Sequence, residues 1–109
     1  MPSFSTLEGL VRKLNSSEAA RTQLSGAAKT IQFVVDQERF FLDVSGGNAE
    51  LKKGTAANPD VTLTAGDAVL DDILNGRLNG IQAFVTGKLA IAGDIMLAQK
   101  LVSVLEKSR

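Results

Sequence analysis

The sequence predicts one α+β domain whose elements follow in the order ααβββ-β-αα-β-α. Its 109 residues suffice for a single hydrophobic core, and 44% of them are hydrophobic while 22% are charged, which suits a folded domain. Hydrophobic residues recur with helical spacing in the first quarter and in parts of the second half, and they alternate with a period of two elsewhere. Helices and strands do not alternate regularly, so a βαβ fold is not predicted.

The first quarter of the chain is predicted to form two helices. Four apolar residues spaced at i, i+3, i+4 and i+7 share one helical stripe: Leu7, Leu10, Val11 and Leu14. We expect this helix to cover about residues 5–14. Residues 15–18 end it and offer hydroxyl groups as N-caps for a second helix, which runs to Leu24 before Ser25 and Gly26.

Three strands connected by two polar turns follow these helices. The first strand begins at Lys29, where the apolar period changes to two and β-branched and aromatic residues dominate. A second strand covers residues 39–44, and a third, weaker strand runs from Ala49 to Gly54. Such a meander of hairpin-linked strands is antiparallel and has one apolar face that other elements must cover.

The second half of the chain is predicted to contain two more strands and three helices. Asp67 is expected to act as an N-cap at the start of the first of these helices. The elements are a strand over residues 60–64, a helix from Gly66-Asp67 to Leu74, a short helix between Asn79-Gly80 and Gly87, a strand over residues 88–92, and a final helix from Gly93-Asp94 to about Lys107.

The composition excludes several classes of function. Twelve basic and twelve acidic residues give a net charge of zero, so the basic field of a general nucleic-acid binder is missing. The chain has no His, Cys, Trp or Tyr, which excludes zinc fingers, thiol nucleophiles, disulfides and histidine triads. Catalysis would have to use carboxylates, Lys, Ser or Thr, and we expect no enzymatic activity. No segment is typical of a signal peptide or a membrane span.

Acidic and basic clusters are interpreted as structural. Asp67 and Asp71 have an i, i+4 spacing that suits a hard cation, but acids favour the start of a helix and no further ligand lies nearby, so we expect no metal and no cofactor. Lys88 and Arg77 are suited to an anionic head group, but isolated basic residues on a neutral protein are usually solvated surface.

The final helix is the least ordinary element, because its apolar arc is wider than a helix on one side of a sheet requires. Only one narrow polar strip interrupts its apolar residues, which are Ile95, Met96, Leu97, Ala98, Leu101, Val102, Val104 and Leu105. Three uses remain open: packing against a neighbouring helix, a dimer interface, or the wall of a lipid cavity.

A series of short motifs over about forty residues resembles a known family. In order, the motifs are Asp60-Val61-Thr62-Leu63-Thr64, Gly76-Arg77-Leu78-Asn79, Ala83-Phe84, Gly87-Lys88-Leu89, Ile91-Ala92-Gly93-Asp94, and Leu97-Ala98 with Leu101. This series closely resembles the sterol carrier protein type 2 family, the sterol-binding or nonspecific lipid-transfer domain. The order of elements in the first half agrees with the layout of that family.

The resemblance implies a five-stranded, mostly antiparallel sheet with helices on one face and an apolar tunnel between them. It implies as ligand a fatty acid, fatty acyl-CoA, sterol or other lipid, for which few polar contacts and no catalytic residue are needed. The expected lining residues, each of which has the alternative interpretation of an ordinary core residue, are Phe33, Phe40, Leu74, Ile81, Phe84, Met96, Leu97 and Leu101.

Two functional hypotheses follow, and the first is a soluble protein that carries a hydrophobic molecule through water. The alternative is a non-catalytic accessory or scaffold protein that presents a lipid intermediate, for example in quinone biosynthesis, to a partner enzyme. Both hypotheses are compatible with a monomer or a dimer. Both also allow transient contact with a membrane, without stable insertion into it. The peroxisomal members end in a small-basic-leucine address, whereas this chain ends Lys107-Ser108-Arg109, so we expect a cytoplasmic location.

Overall fold

The computed structural model describes residues 2–23, 26 and 28–107, and its elements follow the predicted order. Leu24 and Ser25, at the predicted end of the second helix, lie outside the described residues. The elements are α1 (Pro2–Ser16), α2 (Glu18–Gln23), β1 (Lys29–Val35), β2 (Glu38–Ser45), β3 (Asn48–Lys53), β4 (Val61–Ala65), α3 (Asp67–Leu74), α4 (Gly80–Val85), β5 (Leu89–Gly93) and α5 (Ile95–Lys107).

The five strands form one mixed sheet with the order β3-β2-β1-β4-β5. The predicted meander of β1, β2 and β3 is antiparallel, β5 is antiparallel to β4, and β4 is parallel to β1. After β3 the chain crosses over β2 and β1 to the other side of the sheet, and β4 therefore runs parallel to β1. We call the segment between β3 and β4 the crossover. Hydrogen bonds fix this crossover, from the Ala56 N–H to Gln32 Oε1 at 2.7 Å and from the Asp60 N–H to the Thr30 carbonyl at 2.8 Å.

The core lies on the sheet face that is covered by helices. Alternate strand residues such as Phe33, Phe40 and Leu63 are almost fully buried there, as their period of two requires. The apolar stripe of α1 is buried against the same core, with Leu7 and Leu14 fully inaccessible to solvent. The prediction of an α+β domain with a mostly antiparallel sheet is therefore confirmed.

The start of α3 corrects one detail, because Asp67 is not its N-cap. Gly66 occupies that position, and Asp67 is the first residue of the helix. The Asp67 N–H donates to Asp36 Oδ2 at 3.1 Å, while Asp67 Oδ1 accepts from the Ser3 N–H at 3.0 Å. The carboxylate that receives the first N–H of α3 thus comes from the β1–β2 turn, and the carboxylate of Asp67 connects α3 to α1.

The other acids of α3 have structural partners. Asp71 accepts a hydrogen bond of 2.6 Å from the Thr6 hydroxyl, and Asp71 and Asp72 form ion pairs with Arg77 at 3.2 and 2.9 Å. The hydrogen bond with Asp72 raises the pKa of Arg77. These contacts connect α1, α3 and the turn that precedes α4.

Candidate functional site

Two capped helices form the walls of the candidate site. The side chain of Asn79 caps α4, since its Oδ1 accepts from the N–H groups of Ile81 and Gln82 at 2.9 and 3.1 Å. Asp94 caps α5 in the same manner, with its Oδ1 accepting from the Leu97 N–H at 3.0 Å. The two caps fix where each helix begins above β4 and β5.

The wide apolar arc of α5 is divided between two environments. Leu101, Val104 and Leu105 are almost completely buried in the core. Ile95 and Val102 instead face an open cleft between α4 and α5, and they share that side of the helix with Ala98. Part of the surplus apolar surface of this helix therefore lines the cleft, whereas Met96 is exposed outside it.

The cleft has a volume of about 170 Å³ and lies between α4, α5 and the strands β4 and β5. Its walls are mainly apolar, and the polar residues at its surface are all uncharged. The lining residues are Leu63, Asn79, Gly80, Ile81, Phe84, Leu89, Ile91, Ile95, Ala98, Gln99, Val102 and Ser103.

A smaller inner cavity of about 20 Å³ lies beneath the cleft. Leu63, Leu89 and Val102 line both spaces, so the inner cavity continues the wall of the cleft toward the core. Every residue around it has an apolar side chain: Phe33, Leu63, Leu70, Ile73, Leu74, Leu89, Leu101, Val102 and Leu105. The cleft and the inner cavity are two separate spaces that share three lining residues, and together we call them the apolar path.

Five of the eight residues predicted to bind ligand border this path. Ile81 and Phe84 line the cleft, and both are partly exposed. The other three of them, Phe33, Leu74 and Leu101, surround the inner cavity.

The remaining three predicted residues line neither space. Phe40 is buried between Phe33, with ring centroids 5.3 Å apart, and Phe4, with centroids 5.1 Å apart. Met96 is 79% exposed, and Leu97 packs against the core. Their part in ligand binding stays a prediction.

Several lining residues were not singled out from the sequence. Ile95, Ala98 and Val102 have the spacing i, i+3 and i+7, so a helical projection of α5 would have placed them on one face. Leu63 and Leu89 lie on neighbouring strands, and no local pattern distinguishes them from ordinary core residues.

Within the described residues, no group of three or more acidic side chains is placed to hold a metal ion. Asp43 and Glu50, which border a polar hollow on another part of the sheet, both lie near Lys52 Nζ, at 3.3 and 3.9 Å.

No helix in the described part of the chain is long and apolar enough to cross a membrane.

Comparison with known proteins identifies similar domains. The model of the SCP-2 sterol transfer family matches residues 7–106. The peroxisomal multifunctional enzyme A of Dictyostelium discoideum is 38% identical over 69 residues, which are 62% of this chain but only 16% of that protein. The chain therefore corresponds to a small part of this relative.

Two solved structures have the same fold. The UbiJ-SCP2 ubiquinone synthesis protein superposes with a TM-score of 0.74 at 24% identity, covering 93% of this chain and 85% of its own. The solution structure of palmitated SCP2L2 from Aedes aegypti gives a TM-score of 0.70 at 23% identity, covering 92% and 90% of the two chains. At these identities the likeness concerns the fold alone.

Proposed function

We propose that this chain, which belongs to the SCP-2 sterol transfer family, binds the hydrocarbon chain of a lipid between α4, α5 and the sheet and carries it through water. The observation that supports this most directly is the wholly apolar inner cavity, which shares its wall with the cleft. Burial of methylene groups drives such binding, since each contributes about 0.8 kcal/mol. A fatty acid is a suitable first ligand to test, because the solved structure of SCP2L2 from Aedes aegypti is of the palmitated protein.

The polar residues of the cleft suggest how the lipid is oriented. Asn79, Gln99 and Ser103 lie at the solvent side, and the apolar end of the path is near Phe33. We therefore place the hydrocarbon end inside and the polar end among these three side chains. Asn79 Oδ1 already accepts the N–H groups of α4, so its amide NH₂ is the group left to donate to a ligand.

The volume of the cleft implies that the protein opens when it takes up a long chain. About 170 Å³ is close to the size of an engineered cavity that holds benzene, and below the roughly 300 Å³ at which ligand pockets begin. The short helix α4 meets α5 across the cleft, so separation of these two helices would extend the space toward the inner cavity. We propose that ligand entry uses this movement.

Filling the cleft with protein atoms tests the proposal. Ala98 is buried at the wall of the cleft, and Ala98→Leu would direct three additional carbon atoms into the free volume. We expect the dissociation constant for a fluorescent fatty acid to rise at least tenfold, with no loss of thermal stability. Ala90→Leu is the matched control, because Ala90 is exposed on β5 and lines neither cavity. Equal affinities of the two variants would contradict the assigned site.

A non-catalytic role fits the lining of the cavities. Ser103 is the one hydroxyl among the residues that line the cleft and the inner cavity, and no basic or acidic side chain is among them to activate it. We therefore propose binding without chemical conversion of the lipid. The cytoplasmic location stays a prediction, and the Dictyostelium relative is named peroxisomal. The test is to incubate the protein with an acyl ester and to measure the mass of the lipid afterwards. Hydrolysis of the ester would contradict the non-catalytic role.

The second candidate function is presentation of a lipid intermediate to a partner enzyme. It is favoured by the structural similarity to a ubiquinone synthesis protein and by the uncharged cleft, which suits the carbonyl oxygens of a quinone. Native mass spectrometry of purified protein, followed by extraction of the bound lipid, separates the two. A fatty acid supports carriage, whereas an isoprenoid quinone supports the accessory role.

A further inference from the structure

The exposed large apolar side chains of the described residues are concentrated at the mouth of the cleft. All of them belong to α4 or to the first turn of α5, and together we call them the apolar rim: Ile81, Phe84, Val85, Ile95 and Met96. Ile81, Phe84 and Ile95 also line the cleft, so the rim is continuous with the candidate site. Val85 and Met96 extend it over the outer surface, where they are 75% and 79% exposed.

Packing within the domain does not explain the apolar rim. The side of α4 that faces the protein is occupied by Gly80 and Ala83, which are buried, so the larger side chains project outward by their helical position. Concentrated exposed apolar side chains are unfavourable in water and are typical of interaction surfaces. Their position at the mouth of an apolar cavity connects this surface to the movement of lipid.

Two exposed lysines lie close in sequence to the rim residues. Lys88 follows α4, with its N–H bonded to the Ala83 carbonyl at 2.8 Å, and Lys100 lies one helical turn beyond Met96. Both are exposed, and neither forms an ion pair with another described residue. Asp94, the acid nearest to Lys88 in sequence, accepts the Leu97 N–H as the cap of α5. An apolar surface bordered by free lysines is complementary to a bilayer that contains anionic lipid.

We propose that the apolar rim docks on an anionic lipid bilayer, with Val85 and Met96 inserted among the acyl chains and Lys88 and Lys100 at the phosphate groups. A second copy of this chain fits less well. A symmetric pair would bring Lys88 and Lys100 of one copy toward the same lysines of the other.

Flotation with vesicles tests this docking surface. We expect the protein to bind vesicles of two parts phosphatidylcholine to one part phosphatidylglycerol, and to bind pure phosphatidylcholine vesicles more weakly. The variant Val85→Ser should bind the anionic vesicles about tenfold more weakly. Val85 lines neither cavity and is not among the residues predicted to bind ligand, so the affinity of this variant for a fluorescent fatty acid in solution should equal that of the wild type. This second measurement separates failure of docking from failure of the proposed lipid-binding function.

The lysines provide an independent test with a charge-matched control. Lys88→Gln/Lys100→Gln should weaken binding to anionic vesicles by about fivefold for each lysine and reduce its dependence on salt. Arg12→Gln/Lys13→Gln removes the same charge from the exposed side of α1 and should leave binding unchanged. Wild-type vesicle binding by the serine variant would overturn the proposal. So would sedimentation of the wild type as a dimer that dissociates in that variant.

Discussion

At the scale of single residues, Gln32 is the polar side chain on which the crossover depends. It is 3% exposed, and its Nε2 lies 3.1 Å from the carbonyl oxygens of Phe40 and Gly54. Its Oε1 accepts from the Ala56 N–H at 2.7 Å. One amide thus forms hydrogen bonds with backbone groups of β2 and of the segment that follows β3, and it holds the crossover that makes β4 parallel to β1.

Removal of this amide should therefore be costly. We expect Gln32→Ala to lower the free energy of unfolding by about 2 to 4 kcal/mol, because buried donors and acceptors lose their partners and a cavity remains. Urea denaturation followed by circular dichroism measures it. Gln82→Ala removes an exposed glutamine side chain and should change the free energy by less than about 0.5 kcal/mol. Similar losses in both variants would show that the network contributes little.

The sequence suggested nothing of the importance of Gln32, and the reason is physical. In the alternating pattern of β1 it falls on the face opposite Phe33, where a polar residue is expected to meet water. Its burial depends on a segment more than twenty residues later in the chain, Gly54 to Ala56. Contacts of this range leave no local signal in a single sequence.

At the scale of elements, the prediction of order and type succeeded because each element has its own pattern. The four-residue stripe of α1 and the alternation in β1 and β2 are buried as their periods require. Cap identity was less predictable: Asp94 caps α5, whereas the N-cap position of α3 is Gly66, and the Asp67 N–H donates to Asp36 from a distant turn. The site was also predicted only in part. The sequence singled out α5, but it did not show which face of this helix packs on the core and which face lines the cleft.

The cap of α5 should affect stability and ligand binding together. Asp94 accepts from the Leu97 N–H, and the turn that it fixes carries Ile95 at the cleft. We expect Asp94→Ala to lower the free energy of unfolding by about 1 kcal/mol, whereas Asp94→Asn should preserve most of it because asparagine is as good an N-cap. Thermal unfolding measures the difference. If both variants unfold at the same temperature, the hydrogen bond at this cap is not important.

At the scale of the whole molecule, the fold keeps its ligand space small by placing apolar helices over the sheet. The core continues from Leu14 of α1 through Phe33 to Leu101 of α5, and the inner cavity is a gap of about 20 Å³ within it. Among the described residues, the large exposed apolar side chains lie on the α4–α5 side, where the core meets solvent at the cleft. The family resemblance indicated an apolar tunnel, but its dimensions depend on side-chain packing that no sequence pattern specifies.

This arrangement predicts how affinity depends on ligand length. If the chain is drawn from the cleft toward Phe33 as α4 and α5 separate, each added methylene should contribute about 0.8 kcal/mol, a roughly fourfold increase in affinity. The increase should stop at the length that fills the opened cavity. Displacement of a fluorescent probe by a series of saturated fatty acids, each below its micelle concentration, measures the slope and the plateau.

The filled variant makes this prediction specific to the assigned path. In Ala98→Leu the plateau should occur at a shorter chain, because the added side chain occupies part of the cleft, whereas Ala90→Leu should reproduce the wild-type series. An affinity that does not change with chain length would mean that the polar end of the ligand supplies the binding energy. In that case Asn79, Gln99 and Ser103, and not the apolar path, would be the residues that select the ligand.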